Sequence, residues 1–139
     1  MTAFDLQRFV AAQEGVHALA LAELKAGRKQ SHWMWFIFPQ LAGLGSSPMA
    51  VRYALGSAAE AGAWLAHPVL GPRLREGVAA MLAHKGTGPE TILGGIDALK
   101  FRSSLTLFEA AADDPSLFAE ALGAFYDGER DQRTLELLG

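Results

Sequence analysis

The 139-residue chain has 12 basic and 15 acidic residues, a net charge of −3, no cysteine, and half of its residues are hydrophobic. This length and apolar content suffice for one ordinary domain with its own core, and the lack of cysteine excludes disulfides, thiolate metal ligands and thiol nucleophiles. The acidic excess excludes a general attraction to nucleic-acid phosphates, so such binding would need a local basic patch, for which only Lys25, Arg28 and Lys29 are clustered.

The amino-terminal sequence and the hydropathy pattern indicate where the protein resides. The first dozen residues mix acidic, basic and amide side chains and lack the basic-then-apolar order of a secretory signal, so no export is expected. The longest apolar run, 33–39, is far shorter than the roughly 20 residues that a membrane helix requires. We therefore predict a cytoplasmic protein with no membrane-spanning segment.

Short helices are the predicted elements throughout. Apolar residues recur at helical spacing between Gly and Pro residues, and no stretch alternates polar and apolar residues as a half-buried strand does. The first helix begins near Asp5 and is interrupted at Gly15. The second ends at Gly27, with Lys25 in its last turn, where helix ends favour a cation.

Capping residues and prolines delimit the next three predicted helices. Ser47, followed by proline, opens a helix that runs through Leu55. Ser57 opens another, which stops at 67–68 because proline disfavours helical geometry in the residue before it. The third spans 71–86, with a Gly-Pro pair at its start and a Lys-Gly pair at its end.

The remaining helices complete the predicted fold. The segment 87–90 has the spacing of a capping box and predicts a short helix that a Gly-Gly pair ends. A longer helix follows over 96–111, another over 114–128, and Asp131 caps a last short one. Together these units predict an all-α fold, a compact single-domain bundle of about seven to eight short helices that spans the whole chain.

The segment 31–40, SHWMWFIFPQ, has six consecutive large apolar residues between two polar ones. The favoured interpretation is a central core segment, either a short helix or an extended run that is contacted on all sides. A compatible interpretation leaves most of the aromatic residues in the core while His32, Trp35 and Gln40 line a ligand pocket, because large aromatics with a few polar groups are typical of such sites.

A small-residue loop, 43–47, follows this segment and leads into the helix that Ser47 opens. Unpaired N–H groups and the helix dipole at such a position favour an anion. The chain has no Walker lysine pattern here and no preceding strand, so a plain capping loop is the favoured interpretation.

Asp97, Lys100 and Ser104 fall on one side of the helix over 96–111, while Ser103 borders its apolar face. A surface ion pair with two small packing serines is the preferred explanation. The alternative directs Lys100 into a cavity, where it would bind an anion or activate a serine hydroxyl. The Lys-then-Ser order is opposite to the S-x-x-K arrangement of acyl-enzymes and disfavours nucleophilic catalysis.

The four histidines, His17, His32, His67 and His84, are widely separated in the chain. None of them forms the H-x-x-x-H or H-E-x-x-H spacing that places two imidazoles on one metal ion. We therefore expect no metal site, and no motif in the chain predicts a cofactor.

Three segments carry a resemblance to a known family: SHWMWFIFPQLAGLG, the HPVLG segment at 67–71, and Asp97 and Lys100 followed by SSLTLF at 103–108. Together they resemble the bacterial family called domain of unknown function 1810, and the resemblance covers nearly the whole chain. It implies a compact all-α fold in a bacterial protein and brings no established activity. Some relatives carry the label calpastatin, but no residue here supports protease inhibition.

A second resemblance is more distant and shorter. Two stretches of the chain are similar to the NADAR family: Asp97 with residues 99–101, and the helix at 60–61 that precedes Arg73. Members of that family are N-glycosidases that act on ADP-ribose-type or ribosylated substrates. The likeness is restricted to these stretches and implies a nucleotide-like substrate.

Two classes of function follow from these residues. The first is a small-molecule binding protein or enzyme with an anionic, nucleotide-like or ADP-ribose-like ligand. Its candidate ligand-binding residues are His32, Trp35, Gln40, Lys100, Ser104 and Asp97. In this hypothesis Lys100 holds the charge, Trp35 stacks on a planar group, His32 donates a hydrogen bond or acts as general acid/base, and Gln40 orients the ligand.

The second class is a noncatalytic helical module that binds another protein, in which these same residues complete the core. A third hypothesis, single-stranded nucleic acid stacked on Trp33 or Trp35 beside Lys25 and Lys29, is disfavoured by the net charge. Convergence of the candidate residues on one concavity would favour the small-molecule hypothesis, and their dispersal would favour the interaction module.

Overall fold

Ten helices form residues 4–139, the part of the chain that this computed structural model describes, and no strand occurs among them. The helices are α1 Gln7–Gln13, α2 His17–Ala26, α3 Met34–Ile37, α4 Pro48–Arg52, α5 Ala58–Ala66, α6 Leu70–Leu82, α7 Pro89–Leu93, α8 Gly95–Ala111, α9 Ser116–Tyr126 and α10 Gln132–Leu138. The predicted all-α fold is confirmed. The count exceeds the predicted seven to eight, and it includes α3, a four-residue helix in the aromatic segment, for which an extended run was the alternative.

Local sequence signals explain where several helices begin and end. The side chains of Ser47, Ser57 and Asp131 each accept a hydrogen bond from the backbone N–H three residues later, at 3.1, 3.1 and 3.0 Å. These three predicted caps are confirmed, and each satisfies a donor that the first helical turn leaves unpaired. At the other end of α2, Gly27 has φ +75°, the left-handed geometry that glycine adopts without strain.

The predicted helix through Leu55 was too long. The helix α4 ends at Arg52, and Leu55 instead forms an isolated bridge with Leu41, in which the N–H of Leu55 donates to the carbonyl of Gln40 at 2.9 Å. The N–H of Ala42 donates to the carbonyl of Leu55 at 2.7 Å. Pairing with the chain that follows the aromatic segment therefore overrides helical propensity here.

Two other helix boundaries also differ from the prediction. The helix α6 ends at Leu82, so residues 83–86 form a turn and not the last helical turn. The capping box at Thr87 was wrong, because Pro89 occupies the first position of α7 and Gly88 becomes the N-cap without a side-chain hydrogen bond. Proline is well suited to that first position, since it lacks the N–H that would be unpaired there.

The helix α8 lies at the centre of the fold and contacts α5, α7, α9 and α10. Six consecutive residues of α8, 103–108, are buried, which is possible only because helices surround this half of it. Two buried hydroxyl groups in this half form hydrogen bonds with backbone carbonyls one helical turn earlier. The Ser103 hydroxyl donates to the carbonyl of Leu99 at 3.2 Å, and the Thr106 hydroxyl donates to the carbonyl of Arg102 at 2.8 Å.

The aromatic segment forms part of the same core. Trp33 and Phe38 are at most 1% exposed, and the ring centroid of Phe38 lies 4.7 Å from that of Phe101 on α8. Gly77 permits this packing, because a Cβ atom on it would lie 3.1 Å from the Phe38 ring. The prediction of a central core segment is therefore confirmed. No helix among residues 4–139 has both the length and the apolar character needed to cross a membrane.

Candidate functional site

The carboxylate of Glu23 organises the loop that carries His32. It accepts hydrogen bonds from the backbone N–H groups of Gln30 and Ser31 at 2.9 and 3.0 Å, from the Ser31 hydroxyl at 2.7 Å, and from the Trp33 indole N–H at 2.9 Å. Burial raises the pKa of Glu23, but these hydrogen bonds outweigh it and lower the pKa to about 2. Glu23 therefore stays ionised and fixes the loop at its entry into α3.

Asp97 joins this loop to the first turn of α8. Its Oδ2 atom lies 2.9 Å from Nζ of Lys29, and its Oδ1 atom lies 3.8 Å from Nζ of Lys100. The Lys29 ammonium also lies 5.0 Å from the centroid of the Trp33 ring. The predicted pair of Asp97 with Lys100 is present, but the closer partner of Asp97 is Lys29.

Lys100 and Trp35 define the first concavity. The Lys100 ammonium lies 5.5 Å from the centroid of the partly buried Trp35 ring, within the range of a cation–π contact. Together with His32, Ile96 and Asp97 they line a shallow groove of about 410 Å³, which we term the tryptophan groove. It lies where α3 faces the first turn of α8.

A second groove adjoins the first and shares Ile96 and Lys100 with it. This glutamine groove is lined by Gln40, Ile96, Lys100, Arg102 and Ser103, together with neighbouring loop residues, and has a volume of about 330 Å³. Lys100 is therefore the ridge between the two grooves, with an aromatic ring on one side and a carboxamide on the other.

The structure brings together most of the predicted site residues. His32, Trp35, Asp97 and Lys100 line the tryptophan groove, and Gln40 lies across Lys100 in the glutamine groove. The sixth candidate, Ser104, is only 1% exposed and lies outside both linings. The helical-face argument placed it near Lys100, but neighbouring helices bury residues 103–108 of α8.

Arg102 is a groove residue that the sequence analysis missed, since a single arginine in a helix has no diagnostic spacing. Its Nη2 atom lies 4.0 Å from Oδ1 of Asp131, and its guanidinium carbon lies 5.8 Å from the ring centroid of Tyr126. Burial raises the pKa of Tyr126, so its hydroxyl stays protonated and donates to the carbonyl of Ala98 at 2.5 Å. The Arg102 guanidinium therefore lies within cation–π distance of a neutral aromatic ring.

Comparison with known proteins places the chain in a family. The family model described as Protein of unknown function (DUF1810) matches residues 3–138. The chain belongs to this family. A solved structure, that of the conserved hypothetical protein Rv1873 from Mycobacterium tuberculosis, is 50% identical in sequence with a TM-score of 0.96, and the match covers 99% of this chain and 98% of that one. No curated protein matches the chain.

Two side chains of this DUF1810 protein have unused hydrogen-bonding capacity at the grooves. The imidazole of His32 is exposed, and neither it nor the Gln40 carboxamide hydrogen-bonds to any of residues 4–139. Within the same described range, no three His, Asp or Glu side chains are grouped as metal ligands. The two grooves thus present two cationic side chains, two carboxylates, an aromatic face and two hydrogen-bonding groups without partners among the described residues.

The small-residue loop at 43–47 behaves as the capping interpretation predicts. Its last residue, Ser47, uses its hydroxyl oxygen to accept the Ala50 N–H, as described above. One of its glycines, Gly45, contributes to the glutamine groove, where a Cβ atom would approach that of Ala50 to 2.6 Å. A side chain at position 45 would therefore displace the start of α4 beside the groove.

Proposed function

We propose that this DUF1810 protein binds a nucleotide-like metabolite, with a planar group against Trp35 and an anionic group beside Lys100. The observation that carries the proposal is the position of Lys100, whose ammonium lies over the Trp35 ring at the rim shared by both grooves. Aromatic faces with a few convergent polar groups are typical of ligand sites, and a lysine at such a site serves as a point charge for phosphate.

The arrangement of charges supports an anionic ligand. Because Asp97 lies 0.9 Å closer to Lys29 than to Lys100, as the 2.9 and 3.8 Å distances show, its charge acts mainly on Lys29. Lys100 keeps three donors free of hydrogen bonds to the described residues. A phosphate next to its ammonium would form a charge-assisted hydrogen bond, which Asp97 at 3.8 Å is too distant to form.

The side chains of His32 and Gln40 suit a nucleoside portion. The Gln40 carboxamide can donate and accept hydrogen bonds, as the edge of a base or a ribose hydroxyl requires. His32 can do the same in its neutral form, and it would act as a general acid or base if the ligand is a substrate. A cytoplasmic location, where nucleotides are abundant, stays a prediction.

A second candidate function is supported by the apolar side chains at the rim. Ile96 and Leu99 are 73% and 60% exposed on the outer side of α8, although both are large hydrophobic residues. Exposed apolar residues clustered beside a groove are typical of surfaces that bind other proteins. This observation favours the interaction module, in which Lys100 would contribute to a rim of polar contacts.

A ligand-binding experiment separates the two functions. We expect AMP, ADP or ADP-ribose to raise the melting temperature by mass action and to change tryptophan fluorescence, because Trp35 lines the groove. Lys100→Ala should abolish both responses, and Gln40→Ala should weaken them. Lys85→Ala is the matched control, because Lys85 is exposed and lies outside both grooves.

Two results would contradict the nucleotide proposal. One is the absence of a thermal shift or fluorescence change with any of the three nucleotides at millimolar concentration. The other is a response of equal size in the parent, Lys100→Ala and Gln40→Ala proteins. Either result would make the interaction module the better explanation of the exposed Ile96 and Leu99.

A further inference from the structure

A third concavity extends the grooves along α8. It is lined by Arg102, by residues 128–132, and by Arg133 and Leu135, and has a volume of about 480 Å³; we term it the arginine groove. It shares Arg102 and Asp131 with the glutamine groove, which in turn shares Lys100 with the tryptophan groove. The three grooves therefore form one track, along which Ile96 and Arg102 are separated by a helical rise of about 9 Å.

Two arginines of this track differ in what they bind. The guanidinium of Arg130 is held by both carboxylate oxygens of Glu109 and donates to the carbonyl of Gly128 at 2.7 Å. The guanidinium of Arg102 donates no hydrogen bond to any of residues 4–139, and its Nε atom is buried without a partner. The buried Nε atom is closed to a ligand, so a contact with Arg102 must come through its two Nη groups, which make no hydrogen bond within the described residues although Nη2 lies 4.0 Å from Oδ1 of Asp131.

Arg133 provides a second available cation. It is exposed on the first turn of α10, borders the same groove as Arg102, and has neither a hydrogen bond nor an ion pair within the described range. Arginine is suited to phosphate because its planar fork binds two oxygens at once. Lys100, Arg102 and Arg133 thus supply three cationic side chains in order along the track.

We infer that the ligand contains a diphosphate group, with one phosphate between Lys100 and Arg102 beside Gln40 and the other between Arg102 and Arg133. This inference rests on the proposed function, in which the planar group lies against Trp35 at the far end of the track. Arg102 borders both the glutamine and arginine grooves, so its fork is placed to contact both phosphates. The ligand class is a nucleoside diphosphate or a diphosphate ester of one.

Two carboxylates also border the arginine groove and oppose an anion there. Asp131 is committed to its role as N-cap, since its Oδ2 atom accepts hydrogen bonds from the N–H and the hydroxyl of Thr134. Glu129 is exposed and unpaired in the described chain, so it can turn toward solvent. Glu129→Gln should therefore strengthen diphosphate binding only slightly, because the carboxylate that it removes is free to turn away from the groove.

The decisive experiment compares AMP with ADP by isothermal titration calorimetry. We expect the parent protein to bind ADP about tenfold or more tightly than AMP, the effect of one or more additional charged hydrogen bonds. Arg133→Ala and Arg102→Lys should each reduce this preference several-fold, whereas Lys100→Ala should weaken both nucleotides. Arg28→Ala is the charge-matched control, because Arg28 is exposed and lies outside the three grooves.

A second measurement uses inorganic pyrophosphate and observes the Arg102 Nε–H resonance by NMR. A shift of this resonance in the parent protein that is lost in Arg133→Ala supports the diphosphate site even if no nucleotide binds, in which case only the proposed function fails. Equal affinities for AMP and ADP, or a preference for ADP that survives in both Arg133→Ala and Arg102→Lys, would overturn the inference and leave the proposed function intact. An unperturbed Arg102 resonance at saturating pyrophosphate would also overturn it.

Discussion

The two halves of α8 have opposite roles although they form one continuous helix. In the first two turns, Ile96 and Leu99 are exposed and Lys100 is partly buried at the groove rim. From residue 103 to 108 every side chain is buried, and α5, α9 and α10 pack around the helix. The second half anchors the helix in the core, and this anchoring gives the first half a fixed position from which to present groove residues.

The largest expected effect comes from a residue that joins the two halves. Phe101 is fully buried, and its ring lies 4.7 Å from that of Phe38, so Phe101→Ala should lower the free energy of unfolding by about 3–5 kcal/mol. Its neighbour Lys100 is partly exposed, so Lys100→Ala should change the free energy of unfolding by about 0.5 kcal/mol or less. Urea unfolding at pH 7 measures the free energy of unfolding of both variants. Equal losses of stability in the two variants would contradict the contrast between the buried and the exposed residues of α8.

A smaller loss of stability is expected on substitution of Glu23, the carboxylate that fixes the loop before α3. Glu23→Gln replaces an ionised acceptor of four hydrogen bonds by an amide, one side of which donates, so unfolding free energy should fall by about 1–3 kcal/mol. Glu136→Gln is the control, because Glu136 is exposed and has no ion pair in the described chain. A loss no larger than that of the control would show that the loop does not depend on Glu23.

The same carboxylate makes a pH-dependent contribution with a definite sign. The pKa of Glu23 is lowered in the folded protein from the ordinary 4.5 to about 2. A lowered folded-state pKa means that the unfolded chain binds the proton first, so the stabilisation is complete above pH 4.5 and is lost as the pH falls toward 2. The difference in stability between the parent and Glu23→Gln should therefore narrow over that interval in acid titrations followed by circular dichroism.

Local sequence signals were sufficient to predict most of the fold. Ser47, Ser57 and Asp131 act as caps because their signals depend only on residues within one helical turn. The wrong boundaries at Leu55 and Thr87 arose where a competing interaction decided the geometry: backbone pairing with residues 40–42 in one case, and the position of Pro89 in the other.

The candidate site was less predictable, because it depends on which helices surround α8. Residue types alone indicated His32, Trp35, Asp97 and Lys100, and the fold brings these four to one groove. Helical periodicity could not show that Ser104 would be enclosed by neighbouring helices. The hydrogen bonds between Glu23 and the loop at 30–33 involve backbone groups, which have no sequence signature.

The smallest effect on stability is expected at the exposed apolar rim. Because a substitution there leaves the fold intact, its effect on binding can distinguish the two proposed functions. Leu99 is 60% exposed, so Leu99→Ser should change the free energy of unfolding by about 0.5 kcal/mol or less. A nucleotide held by Lys100 and Trp35 should lose less affinity in Leu99→Ser than in Lys100→Ala, since the leucine supplies neither charge nor an aromatic face. A protein partner that docks on Ile96 and Leu99 should show the reverse order, because apolar side chains at the centre of an interface contribute more than charges at its rim. Titration of ADP into both variants measures whether the affinity loss is smaller in Leu99→Ser, as expected for nucleotide binding. A greater loss in Leu99→Ser than in Lys100→Ala would contradict the assignment of Lys100 as the ligand's main contact.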